Sequence, residues 1–237
     1  MNTLLVAHGT RNPRGVAMIG DLARAMSQRM SAPVRVAFVD VLGPSPEEAL
    51  AALPDGPVRV VPAFLARGHH VCHDLPERLA VADRPGLSVS TPLGPSPVLA
   101  QVLDDRLSQA GARSADALVL AAAGSADPRA LIDLEQVAAQ LAQRRGGPVH
   151  LAFAAPPKGA ITRPSVADAV AQARRSGARR VAVASYLLAD GLFQQRLEQS
   201  GADAVGRPLG LHPAVVGLAC ARAQSVHAGA PLQTASR

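Results

Sequence analysis

The reactive side chains of this sequence are concentrated in its histidines. His8 directly follows the apolar run Leu4-Leu5-Val6-Ala7 and precedes Gly9-Thr10-Arg11. An imidazole at the end of such a run projects into a crevice, with Gly9 allowing a ligand to come close. The second concentration is Arg67-Gly68-His69-His70-Val71-Cys72-His73-Asp74-Leu75-Pro76, with three histidines in five residues. On a helix His69 and His73 fall one turn apart, as do His70 and His73, a spacing that binds metals such as zinc. Asp40, in Phe38-Val39-Asp40-Val41, ends another apolar run, where its carboxylate could assist a metal or a proton transfer. Plainer roles compete for each group: a partly buried, hydrogen-bonded histidine at position 8, a solvated polar loop around His69 to His73, and helix or turn capping for Asp40 and Asp74.

Positioning these groups requires elements, and β-rich apolar runs alternate here with Ala/Leu-rich amphipathic stretches. Strands are predicted at 4–7, 34–39, 58–64, 87–90, 118–121, 149–153, 180–184 and 202–205. Helical windows lie between them at 17–30, 46–53, 75–82, 97–110, 128–144, 165–176 and 213–223, several with proline near the start, where a first helical turn tolerates it. The alternation predicts an α/β protein with parallel sheets.

An internal repeat sets the architecture. Leu5 to Arg14 falls on Leu120 to Arg129 at an offset of 115 residues, aligning Gly9 with Gly124, Pro13 with Pro128 and Arg14 with Arg129. The same offset carries Val34 and Ala37-Phe38 onto Val149 and Ala152-Phe153, and Pro92-Leu93-Gly94 matches Pro208-Leu209-Gly210. Two homologous half-domains are therefore expected, each a parallel sheet flanked by helices, at residues 1–113 and 114–224, followed by a polar tail at 225–237. Ligand crevices form beyond the carboxyl ends of parallel strands, so the halves are expected to face each other across a central cleft. The repeat also separates chemistry from scaffold: His8 pairs with Ala123 and Asp40 with Ala155, and Leu188 to Phe193 occupies the place of the histidine cluster without a histidine.

Composition narrows the function. The chain of 237 residues is 48% hydrophobic and 18% charged, enough for real cores and unlike a disordered chain. The apolar run from Ala115 to Ala123 is interrupted by Asp116 and is far shorter than the roughly 20 residues of a membrane-spanning helix. The start, Met1 to His8, lacks the basic and long apolar regions of a secretion signal, so a cytoplasmic location is expected, with Cys72 and Cys220 reduced. Net charge is +6, but 23 Arg and the single Lys158 are scattered among acids and aromatics make up 2%, which argues against nucleic acid and for a small polyanionic ligand. Residues 1–115 carry a net +1 and 116–237 a net +5, which suggests chemistry on one wall and anion holding on the other.

Taken together, Leu4-Leu5-Val6-Ala7-His8-Gly9-Thr10-Arg11 with Pro13-Arg14, Phe38-Val39-Asp40 with Pro44-Ser45 and Glu48-Ala49-Leu50, and Val61-Pro62-Ala63-Phe64-Leu65 with Gly68, His70-Val71 and Asp74-Leu75-Pro76 resemble the sirohydrochlorin chelatase family, the class II chelatases of siroheme and cobalamin synthesis. The likeness runs over nearly the whole chain, including Ser185-Tyr186-Leu187-Leu188 in the second half. It implies insertion of Fe²⁺ or Co²⁺ into sirohydrochlorin, with His8 and His70 as the catalytic, metal-handling histidines. Asp40 stands where the family commonly has the longer Glu, and His69 and His73 flank the family position. The metal is then a substrate, and no permanently bound cofactor is implied.

The chemistry suits such residues. Metallation removes two pyrrole protons while a partly dehydrated metal approaches the ring, and neutral imidazole can both ligate and accept a proton. Two histidines with one carboxylate, His8, His70 and Asp40, make an open site that releases a metal more readily than a closed four-ligand one. Arg11, Arg14 and Arg67 would anchor the carboxylates of the tetrapyrrole. The expected partners are sirohydrochlorin and a divalent metal ion, with neither nucleic acid nor membrane. Shorter family members dimerise to build two walls, whereas this chain contains both, which suits a monomer. Two other readings compete: a metal or tetrapyrrole carrier without turnover, and a phosphohydrolase with a histidine nucleophile, disfavoured because Ala7 stands where that chemistry wants Arg.

Overall fold

A computed structural model describes residues 1–82, 84–157 and 163–225. The polar tail expected from 225 onward therefore lies outside the described residues from position 226.

Two compact units account for the fold. The first contains Met1–Gly94 together with the helix residues from Val216 onward, and the second contains Pro95–Val215. In the first unit β1 (Asn2–Ala7), β2 (Val34–Phe38), β3 (Val58–Pro62) and β4 (Leu87–Val89) form a sheet in the order β2-β1-β3-β4. In the second, β5 (Ala117–Ala122), β6 (Val149–Phe153), β7 (Val181–Tyr186) and β8 (Ala204–Val205) repeat that order as β6-β5-β7-β8. All neighbours run parallel, and register carries the repeat: Val6 pairs with Ala37 as Ala121 pairs with Ala152, and Ala7 with Phe38 as Ala122 with Phe153. The expected α/β fold with two sheets flanked by helices is what the chain adopts.

Helices cover the sheets because their apolar positions recur at helical spacing. In the first unit α1 (Pro13–Met30) buries Ile19, Leu22, Ala23 and Met26 and packs by β2. The helices α2 (Pro46–Ala51) and α3 (Leu75–Val81) bring Ala49, Leu50, Leu75 and Leu79 onto Leu4, Val6, Ala37, Val58 and Val60. In the second unit α4 (Pro97–Gln109) and α5 (Pro128–Arg145) pack together, α4 against β7 and α5 against β6. The other core there joins Val166, Ala169 and Val170 of α6 (Val166–Arg175) and Leu197 of α7 (Leu192–Glu198) to Val119, Ala121, Ala152, Val181 and Val183. The last helix, α8 (Pro213–Ser225), has Pro at its first turn like α1, α2, α4 and α5. Strands covered this way read as continuous apolar runs rather than alternating ones.

Helix starts are capped in matching fashion. Asn12 Oδ1 accepts from the Arg14 N–H and Asp127 Oδ1 from the Arg129 N–H, each at 2.9 Å. At α2, Ser45 and Glu48 form a reciprocal capping box.

Candidate active site

In a sheet ordered β2-β1-β3-β4 the chain reverses its direction of travel between β1 and β3, and ligands of open α/β sheets bind beyond the strand ends at such a switch point. His8 is the first residue after β1, and the histidine cluster follows β3.

The backbone around His8 is held by a continuation of strand pairing. Val39 donates to the Ala7 carbonyl at 3.0 Å and Asp40 to the His8 carbonyl at 2.9 Å. Gly9 follows with φ 103°, and a Cβ there would lie 2.1 Å from the Asp40 carbonyl oxygen. The same frame recurs in the second unit: Ala155 donates to the Ala123 carbonyl, and a Cβ on Gly124, at φ 133°, would lie 2.1 Å from the Ala155 carbonyl oxygen. The crossing backbone by itself requires Gly9. Within this shared frame only the first unit carries an imidazole and a carboxylate, where the second has Ala123 and Ala155.

Asp40 lies two residues beyond β2 rather than at its end, in an exposed turn where its Oδ1 accepts from the Val41 N–H at 2.7 Å. Val41 has φ 71°, an uncommon conformation for a β-branched residue.

Twelve residues connect β3 to α3, against five between β7 and α7. The histidines occupy this longer connection. Val71 and Cys72 both donate to the Gly68 carbonyl at 3.1 Å, and His70–Asp74 then form a single π-helical turn, closed by the Leu75 N–H on the His70 carbonyl. The turn sends the rings in two directions. His70 stacks on His8 with centroids 4.3 Å apart and planes inclined by 30°, while His69 and His73 approach each other at 4.9 Å. The predicted one-turn neighbourhood of His69 and His73 is therefore present, and His70 belongs with His8 instead.

Asp74, expected to start a helix, stands at the start of α3 but makes no side-chain cap. Its Oδ2 is hydrogen-bonded to His70 Nδ1, and its Oδ1 lies 3.3 Å from His69 Nε2. Sequence reasoning missed this role, although the spacing of four between His70 and Asp74 was the available signal.

His8 is held below its usual pKa of 6.5, first by desolvation and then by the neighbouring His70, while Asp40 and, more weakly, Asp74 pull in the opposite direction. A lowered value keeps the ring neutral, with a lone pair for a metal or a proton. Arg11 and Arg67 are exposed on the loops leaving β1 and β3, and Arg14 is exposed in the first turn of α1. Among the described residues no group of three or more His, Cys, Asp or Glu side chains is spaced to hold a metal, so the expected set of His8, His70 and Asp40 is not brought together, and His8 and His70 stand as a pair. Cys72 and Cys220 are not joined in a disulfide. No described helix is long and apolar enough to cross a membrane.

The CbiX family model matches residues 2–110 and again 117–226. The chain belongs to the CbiX family. The double match covers both halves of the repeat. Among its relatives, the sirohydrochlorin cobaltochelatase of Methanothermobacter thermautotrophicus is 33% identical over 132 residues, covering 46% of this chain and 92% of the relative. The sirohydrochlorin ferrochelatase of Priestia megaterium is 27% identical over 220 residues, 85% of this chain and 79% of the relative. In fold, the CbiX chain is similar to SirB from Bacillus subtilis with Fe³⁺, with a TM-score of 0.77 and 20% identity over 94% of each chain.

Proposed function

We propose that this chain is a sirohydrochlorin chelatase that inserts Fe²⁺ or Co²⁺ into the tetrapyrrole. The observation that carries the reading is the His8–His70 pair, 4.3 Å apart at the switch point of the first sheet and without a counterpart in the repeat. The names of the two curated relatives, one a cobaltochelatase and the other a ferrochelatase, support the same class of reaction.

His8 and His70 receive the incoming metal on their ring nitrogens and accept the protons that leave the pyrrole nitrogens. Both tasks need neutral imidazole, and the lowered pKa of His8 favours that form. Two nitrogen ligands leave most coordination positions of a divalent metal open to water and then to the macrocycle, so the metal can be passed on instead of stored. Asp40 supports the pair through its charge, and Arg11, Arg14 and Arg67 hold the substrate carboxylates from the surrounding loops. The metal is a substrate, no resident cofactor takes part, and the reaction belongs to the cytoplasm.

Anaerobic absorbance of sirohydrochlorin with Co²⁺ or Fe²⁺, with and without protein, tests the reading. Acceleration with turnover is expected. His8→Ala and His70→Ala are expected to stay folded and to lose about 100-fold or more of the rate, the typical scale for a positioned acid or base. Wild-type rates in both variants would overturn the site assignment, and stoichiometric binding without acceleration would make the protein a carrier.

A further inference from the structure

We infer that Asp74 is a positioning residue that fixes the ring orientation and tautomer of His70, an inference that rests on the chelatase reading of the His8–His70 pair. The carboxylate stands on the residue just before α3, in helical backbone continuous with the π-helical turn, and it makes no side-chain capping bond. Both of its oxygens are instead directed at imidazoles: Oδ2 at Nδ1 of His70 and Oδ1, at 3.3 Å, at Nε2 of His69. The Asp74 side chain is 29% exposed and that of His70 40% exposed, so the contact is partly shielded from water.

A carboxylate has no proton to give, so the bond requires His70 to carry its proton on Nδ1. The lone pair is then left on Nε2, the nitrogen available to a metal or to a departing proton. Histidine ligands of metals are commonly held this way, with a carboxylate on the second nitrogen setting both ring orientation and basicity. Here the π-helical turn brings the two groups together: it places His70 and Asp74 at its two ends, and the Leu75 N–H closes it on the His70 carbonyl. It lies wholly within the connection that is longer than its repeat counterpart. The extra residues of the first half therefore supply His70 together with the group that aims it. His69 steadies the same carboxylate from its second oxygen.

The test compares wild type with Asp74→Ala, Asp74→Asn and His70→Ala. Imidazole ¹⁵N chemical shifts of the metal-free protein are expected to show His70 protonated on Nδ1 in wild type and as a mixture of tautomers in Asp74→Ala. Titration with Co²⁺, followed by its visible absorption, should show affinity falling by about 10- to 100-fold in Asp74→Ala. Asp74→Asn keeps an oxygen that can accept from Nδ1 and should recover most of the loss. In turnover, kcat should fall while KM for sirohydrochlorin stays near wild type. If Asp74→Ala does not fold, the comparison rests on Asp74→Asn, whose His70 tautomer must remain that of wild type. A wild-type tautomer and Co²⁺ affinity in Asp74→Ala, with His70→Ala inactive, would overturn the positioning role alone. An active His70→Ala would instead overturn the site reading beneath it.

Discussion

At His8 the opposing influences can be separated by substitution. Desolvation and the neighbouring His70 lower its pKa below 6.5, while Asp40 and Asp74 act to raise it. An NMR titration of the metal-free protein should therefore give a His8 midpoint below 6.5. His70→Ala removes a lowering influence and should move that midpoint up, and Asp40→Asn removes a raising one and should move it down. A midpoint at or above 6.5 in wild type would contradict the electrostatics described here. Linkage gives the matching sign for stability: between the folded midpoint and 6.5 the unfolded chain binds more protons at this position, so the His8 contribution falls as pH drops through that window and is constant above it. His8 and the histidine cluster were legible in the sequence because the repeat offers Ala123 and a histidine-free segment at their places, while within the cluster His70 was picked out by the resemblance. The Asp74 contact was not legible, because an aspartate just before a predicted helix is ordinarily spoken for by capping.

Among the elements, the loops after β1 and β5 offer a matched pair for experiment. Gly9 and Gly124 both have positive φ, and at each a Cβ would lie 2.1 Å from a carbonyl oxygen of the neighbouring turn. Gly9→Ala and Gly124→Ala should each cost about 2 kcal/mol or more in denaturant unfolding. They should differ in chemistry: Gly9→Ala displaces the Asp40 turn beside His8 and should weaken Co²⁺ binding, whereas Gly124→Ala disturbs a frame that carries alanines and should leave binding unchanged. Equal binding losses in the two variants would mean that overall stability, rather than this loop, controls the site. Element types were largely legible in advance because prolines at helix starts and apolar strand runs are local signals. Among the described α-helices only α7 escaped, a helix of seven residues whose start at Gly191 has neither a side-chain cap nor a proline in its first turn. Its register was recoverable only from the repeat, in which Leu75–Val81 corresponds to Leu192–Glu198. The π-helical turn was illegible for a different reason: a spacing of three or four looks the same in an α-turn and a π-turn.

For the whole molecule, the unit that repeats in sequence differs from the unit that packs. The repeat divides the chain near residue 113, whereas the compact units change at Gly94 and again at Val215. The strand β4 is followed by α4, which packs on α5 and β7 of the second unit, and the chain returns through α8, whose residues from Val216 belong to the first. Helix α8 buries Val215, Ala219, Cys220 and Ala223, and its Gly217 faces the guanidinium of Arg29 near the end of α1, at 3.8 Å from a built Cβ. Sequence similarity detects common descent of the halves but carries no signal for which sheet a helix covers, since either sheet accepts an apolar helix face. A fragment of residues 1–113 consequently lacks a helix of its own unit and carries α4, whose Leu99, Val102, Leu103 and Leu107 are buried in the full chain. That fragment should melt without a cooperative transition and bind a hydrophobic dye, the signature of unfixed packing. Residues 1–94 joined through a flexible linker to 213–225 restore the missing helix without the surplus one and should recover a cooperative melt. A cooperative, dye-silent 1–113 fragment would show that the first sheet does not need α8, and the packing unit would then coincide with the sequence repeat.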